Sequence, residues 1–162
     1  MSGDIIYSPQ YPLVEAAKAL EAAGDFVTPF EMGTALAFAA FDGEDCDFAI
    51  IEVGMGGRLD PTNIIQPICC ATTAIGLDHM GFLGDTLEEI AETKAGIFKE
   101  GGHAVVYRGT PGVEAVFERI AAEKHITLHK ADFEGLRNKS LDLFGQTFDC
   151  GERKDIELPL LG

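Results

Sequence analysis

The pattern of apolar and polar positions predicts an alternation of helices and strands along the chain. Pro12–Ala23 is predicted as a short helix, with proline near its first turn and Gly24 at its end. A second helix is predicted over about Pro29–Phe41, with Thr28 as N-cap and Glu31 at the position that completes a capping box. Its apolar residues Met32, Leu36, Phe38, Ala39 and Ala40 predict burial on more than one side. Cys46–Val53 is short, apolar and partly β-branched, which predicts a strand buried on both faces. Ile68–Ile75 is predicted as a second buried strand. Thr86–Lys99 follows as a helix, capped by Asp85 or Thr86 and closed by Gly101-Gly102. Ala104–Tyr107 is predicted as a strand, Pro111–Lys124 as a helix and Ile126–His129 as a short strand. Such alternation implies an α/β fold, mostly a parallel sheet with helices on both faces. Leu141–Phe148 alternates instead, as a β-hairpin or edge meander near the C-terminal end.

Composition narrows the function. The 162 residues fit one domain, and a hydrophobic fraction of 46% supplies a core. A formal net charge of -15, from 27 acidic and 12 basic side chains, repels nucleic acid and anionic lipid. Small anionic substrates remain compatible, because a cation reverses the local field. Cys46, Cys69, Cys70 and Cys150 form neither a zinc pattern nor a disulfide framework. Cys69 and Cys70 read as buried hydrophobes, and a reduced, cytoplasmic setting is expected. No apolar run is long enough to span a membrane, and the N-terminus has no signal-peptide pattern.

Ligands of parallel α/β sheets bind beyond the carboxyl ends of the strands. Two segments leave strands with unusual chemistry: Ile51–Asn63 and Ile75–Gly84. Glu52 ends an apolar strand, where a carboxylate is costly unless it is paired, hydrogen-bonded or metal-bound; a salt bridge to Arg58 or a solvated strand end is the structural alternative. Asp78 and His79 are adjacent, so in extended backbone they point opposite ways. His79 alone is more often structural than a ligand. Lys94 carries the most information. Leu87, Ile90, Ala91, Ile97 and Phe98 form an apolar stripe, and Lys94 stands in it one turn beyond Ile90 and Ala91. A lysine there must snorkel outward, lose its proton or be modified. A desolvated amine reacts with carbon dioxide to give a carbamate, an anion able to hold a cation. Carboxylate, imidazole and carbamate donors favour magnesium or manganese. Gly54, Gly56 and Gly57 allow close approach of backbone to a ligand. They do not form a Walker A motif. Arg58 suits a phosphate or carboxylate, or a salt bridge with Asp60.

At these residues the sequence resembles a known family. Thr28-Pro29-Phe30-Glu31 resembles the T-x-F-E segment of folylpolyglutamate synthases. Glu52–Asn63, EVGMGGRLDPTN, is similar to the glycine-rich signature of folylpolyglutamate and dihydrofolate synthases. Gly76–Gly101 resembles their G-L-D-H…K-A-G-I block, and Leu158–Gly162 their P-L-L-G. The resemblance spans most of residues 28 to 162, in order. It implies the Mur ligase superfamily and part of its central ATP-binding domain, over residues 1–162. It also implies an ATP- and Mg2+-dependent ligase that joins glutamate to a folate or dihydropteroate carboxylate through an acyl phosphate. Glu52, His79 and a carbamylated Lys94 would hold magnesium and serve catalysis. Gly56, Gly57, Arg58 and Asn63 would contact the nucleotide, Asp60 and Asn63 ordering the loop. Phe30, Glu31 and Asp78 would contact the folate-side substrate.

The chain departs from this pattern. The family's phosphate-binding loop stands well upstream of T-x-F-E, and the 27 residues before Thr28 do not contain it. The C-terminal glutamate-binding domain is absent as well. An inactive fragment is therefore expected, with an exposed strand edge or a swapped or dimeric contact. A cell-wall Mur ligase and a non-catalytic truncated paralogue acting as a binding module are the other readings.

Overall fold

The computed structural model describes residues 12–159 except 45, 78, 132 and 134. The chain divides into two compact units, Met1–Gln66 and Pro67–Gly162.

The first unit is helical. Helix α1 is Pro12–Ala23 and helix α2 is Pro29–Gly43. The chain turns between them at Gly24, whose φ of 92° suits glycine. The start of α2 is set by a capping box. The Glu31 amide donates to the Thr28 hydroxyl at 3.2 Å, and the Thr28 amide and hydroxyl donate to Glu31 Oε2 at 2.8 and 2.7 Å. The expected burial of α2 is not found: none of its residues is fully buried, although within this unit it packs against α1 and a short 3-10 turn, Pro61–Ile64.

The strand expected at Cys46–Val53 is also not formed. This segment has no ladder partner, and Phe48 and Ile50 are 78% and 97% exposed. A strand is defined by its neighbours, and this unit supplies none among the described residues.

The second unit contains the expected parallel sheet. Strand β1 is Cys70–Thr72, followed by helix α3, Leu87–Lys94, and a 3-10 turn, Ala95–Ile97. Strand β2 is His103–Val106, helix α4 is Pro111–Glu123 and strand β3 is Thr127–Lys130. The order β1-β2-β3 is parallel throughout, with Cys70 opposite Ala104 and Ala104 opposite Leu128. Thr86 rather than Asp85 caps α3, its hydroxyl accepting from the Glu89 amide at 3.2 Å. Thr110 caps α4 in the same way. β1 is shorter than Ile68–Ile75, and α3 tightens into the 3-10 turn after Lys94 instead of running to Lys99.

One face of this sheet carries the core. Cys70, Ala104 and Val106 pack with Ala91, Ala95 and Phe98 after β1 and with Val113, Phe117 and Ile120 of α4. The rings of Phe98 and Phe117 meet at 5.9 Å. On the other face His103, Val105 and His129 are exposed, and the imidazoles of His103 and His129 stack at 5.8 Å. Cys70 is buried as expected, but Cys69 is exposed, because alternation along β1 sends neighbours to opposite faces.

The C-terminal part is a three-stranded antiparallel meander of β4 (Leu136–Asp142), β5 (Gly145–Cys150) and β6 (Arg153–Leu158). Asp149 ties its strands: Lys139 reaches its carboxylate at 2.9 Å and Asp155 at 2.8 Å, and the Asp155 amide donates to Asp149 at 3.0 Å.

Candidate active site

The glycine-rich loop of the first unit is built around a buried carboxylate. Asp60 is 8% exposed. It accepts from the Met55 amide at 2.9 Å, the Thr62 amide at 3.0 Å and the Thr62 hydroxyl at 2.5 Å. Burial pushes its pKa up, but the Thr62 hydroxyl and the Met55, Thr62 and Gly54 amides outweigh burial and hold it below the usual value. The alternative of an Arg58–Asp60 ion pair is therefore replaced by bonds to backbone and Thr62. The loop is braced further by Asn63, whose side-chain amide donates to the Arg58 carbonyl at 3.0 Å. Gly56 and Gly57 are buried, with φ of 74° and 145°. Both need glycine to turn the chain back towards Asp60.

Phe30 lies over this loop. A Cβ built on Gly54 would collide with the Phe30 ring, so ring and backbone touch closely. No pattern in the sequence announces that contact. Glu31, by contrast, has its carboxylate occupied by the capping box. Its pKa is lowered by the Thr28 amide and then the Thr28 hydroxyl. Glu52 is exposed, at the end of its unpaired segment.

In the second unit His79 lies on the connection from β1 to α3, and Lys94 is the last residue of α3. His79 has φ 50°, and its carbonyl accepts from the Phe82 and Leu83 amides at 3.0 and 3.2 Å. The loop carrying it is anchored to α3, because the Thr93 hydroxyl donates to the Leu83 carbonyl at 2.8 Å. Gly84 has φ 139°, and a Cβ there would collide with that of Glu89. His79 itself is exposed. Asp78 lies outside the described residues, as do residues 160–162 of the P-L-L-G segment.

Lys94 is half-buried, among buried residues on the same stripe: Ile90, Ala91, Ala95 and Phe98. Among the described residues it makes no hydrogen bond and no ion pair, in contrast to Lys130, which binds Glu114 and Glu118 at 2.7 and 2.6 Å. Among the described residues no group of three or more His, Cys, Asp or Glu side chains is placed to hold a metal ion. Glu52 belongs to the first unit, and His79 and Lys94 to the second. Of these donors the Glu52 carboxylate is the oxygen type that a hard divalent cation takes, and Lys94 would offer oxygen donors only after conversion to a carbamate. No helix among the described residues is long and apolar enough to cross a membrane.

Comparison with known proteins gives a consistent result. Residues 7–162 match the Mur ligase middle domain. The folylpolyglutamate synthase of Saccharomyces cerevisiae strain FostersO is 42% identical over 120 residues, which are 72% of this chain and 22% of that protein. Among solved structures, a folylpolyglutamate synthase–AMPPCP–folate complex has a TM-score of 0.81 at 36% identity and covers 92% of this chain and 38% of its own. The Mycobacterium tuberculosis folylpolyglutamate synthase complexed with ADP and AMPPCP has a TM-score of 0.79 at 34% identity, covering 92% and 36%. This chain thus spans about a fifth to two-fifths of the length of these relatives. A parallel sheet with its helices, an added antiparallel meander and a match over nearly the whole chain place it in the Mur ligase family, as a middle domain whose relatives are folylpolyglutamate synthases.

Proposed function

We propose that this chain is part of the ATP-binding domain of a folate:glutamate ligase, with residues 1–162 contributing to that domain. What supports the reading is the unbroken likeness to folylpolyglutamate synthases across 92% of the chain, one of them bound to AMPPCP and folate. In the reaction a folate or dihydropteroate carboxylate oxygen attacks the γ-phosphorus of ATP, and ADP leaves. The glutamate amine then attacks the carbonyl carbon of the acyl phosphate, phosphate leaves, and an amide remains.

The residues take the following roles. Lys94, as a carbamate, and His79 would hold magnesium, and Glu52 would be a further ligand. Magnesium, when bound, supplies positive charge against the nucleotide phosphates. Asp60 keeps the glycine loop in shape, which leaves Gly56, Gly57, Arg58 and Asn63 to face the nucleotide. Phe30 offers an aromatic face to the folate-side substrate, and Asp78 adds a polar contact there. Glu31 serves chiefly as the capping residue of α2. The protein acts in the cytoplasm on small molecules and does not bind nucleic acid.

The longer protein containing this sequence is expected to incorporate labelled glutamate into a folate only with ATP and Mg2+. Lys94→Ala should lower that rate by at least about a hundredfold, as removal of a group that places charge at a transferring phosphoryl does. Turnover by Lys94→Ala at the parent rate, or no ATP-dependent incorporation at all, would refute the proposal. The 162-residue chain alone should show no micromolar ATP–Mg2+ binding by titration calorimetry; such binding would overturn its inactivity.

A further inference from the structure

Two polar groups of the second unit make no hydrogen bond to any described residue. One is Lys94. The other is the hydroxyl of Thr72, which is buried with no hydrogen bond, in a residue only 8% exposed. Buried hydroxyls almost always have a partner, and one without needs a reason.

Counting strand and helix rise from the contact of Cys70 with Ile97 puts the two at a similar height. Thr72 and Cys70 share the buried side of β1. The Cys70 thiol donates to the Ile97 carbonyl at 3.2 Å, which pins the base of the strand to the turn after α3. β1 and β2 are parallel and joined through α3, so α3 runs against them. Two residues of strand rise about 6.6 Å. Three residues back from Ile97 through the 3-10 turn rise about 5 to 6 Å. Thr72 therefore stands level with Lys94, on the side that the α3 stripe covers. The lysine stem leans towards the helix N-terminus, which carries its amine towards the strand's carboxyl end.

We propose that Thr72 is a positioning residue for Lys94: its buried hydroxyl donates a hydrogen bond to the carbamate that Lys94 forms with carbon dioxide. The role rests on the reading of Lys94 given under the proposed function. In the step the free amine attacks the carbon of carbon dioxide. The N–C bond forms, one C=O electron pair moves to oxygen, and the nitrogen loses its extra proton to solvent. The carboxylate so made adds two acceptor oxygens beyond the amine. Thr72 then has the acceptor it lacks in the unmodified chain, and the carbamate gains a fixed donor on its buried side.

Incubating the 162-residue chain with 13C-bicarbonate and counting the carbamate carbon by NMR tests this. The wild-type chain should show the signal and Lys94→Ala should lose it. Thr72→Ser, which keeps the hydroxyl, should retain it within about twofold. Thr72→Val should lower occupancy about fivefold, which corresponds to the ~1 kcal/mol of one hydrogen bond. Thr72→Val should also melt at the same or a higher temperature, because it replaces a buried hydroxyl that has no partner in the unmodified chain. Carbamate loss with an undiminished melting temperature separates positioning from unfolding. Wild-type occupancy in Thr72→Val removes the role of Thr72 and leaves Lys94 as read. A wild-type spectrum with no Lys94-dependent signal overturns the reading of Lys94, and the role of Thr72 with it.

Discussion

Replacing Asp60 by alanine tests whether one buried carboxylate holds the glycine-rich loop. The side chain takes the Thr62 amide at 3.0 Å, the Thr62 hydroxyl at 2.5 Å and the Met55 amide at 2.9 Å. Thr62 is 6% exposed, so its two donors have little access to water once the carboxylate is gone. Met55 is 49% exposed, and its amide can turn to solvent. Buried donors left unsatisfied cost ~1–3 kcal/mol each, and hydroxyl rotation relieves part of that, so Asp60→Ala should destabilise the loop by ~2–4 kcal/mol. Asp60→Asn keeps one acceptor oxygen but places an amide against a donor, and should cost about half as much. Amide hydrogen exchange reads the effect locally. At Thr62 it should speed up by about 30- to 1,000-fold in Asp60→Ala, the factor equivalent to that energy. Amides of Val106 and Ile120, in the other compact unit, serve as controls and should not change. Exchange at Thr62 within about threefold of wild type would show that the loop holds its shape without Asp60, contrary to the energetic argument.

Acid should weaken the C-terminal meander through Asp149. Asp149 is lowered from 3.8 to about 2, by Lys139 first and then by the Asp155 amide. A depressed carboxylate contributes stability that is full above its ordinary value and lost as pH falls through its folded value. Circular dichroism should therefore show the meander weakening as pH falls from 3.8 to about 2, and Asp149→Asn should abolish that acid-dependent component; an unchanged acid profile in the variant would refute the assignment. Gly84→Ala forces a side chain onto φ 139° and into Glu89. It should cost ~1–3 kcal/mol and loosen the loop carrying His79, seen as faster exchange of the Phe82 and Leu83 amides; wild-type protection there would show that the collision is relieved without cost.

Much of the fold was legible because its signals are local. Pro12, Thr28, the pair Asp85 and Thr86, and Pro111 announce helix starts through caps and proline, and the helices begin where these residues put them. Alternation announced the meander, though only three strands in register show its extent. Cys46–Val53 shows where local signals stop. Its β-branched, apolar composition states that it prefers burial, but pairing depends on a neighbour, and the described residues of its unit provide none. The contact of Phe30 with Gly54 was hidden for the same reason, since its partners are 24 positions apart and share no period. The membership of Asp78 in the site lies outside the described residues.

The site residues separate by a single physical question: whether a polar group placed in an apolar setting is satisfied within the chain. Glu31 and Asp60 are satisfied, by Thr28 and by the loop's own amides and Thr62, so both act on structure first. Lys94 interrupts an apolar stripe and Thr72 interrupts a buried strand face; neither bonds a described residue, and of the two the Thr72 hydroxyl is the one fully buried. A fold tolerates an unsatisfied buried group when something it binds or becomes supplies the missing bond. The interruption at Lys94 is visible in sequence because the stripe has a period. The one at Thr72 is not, because threonine is an ordinary strand residue, and only the count of its hydrogen bonds sets it apart.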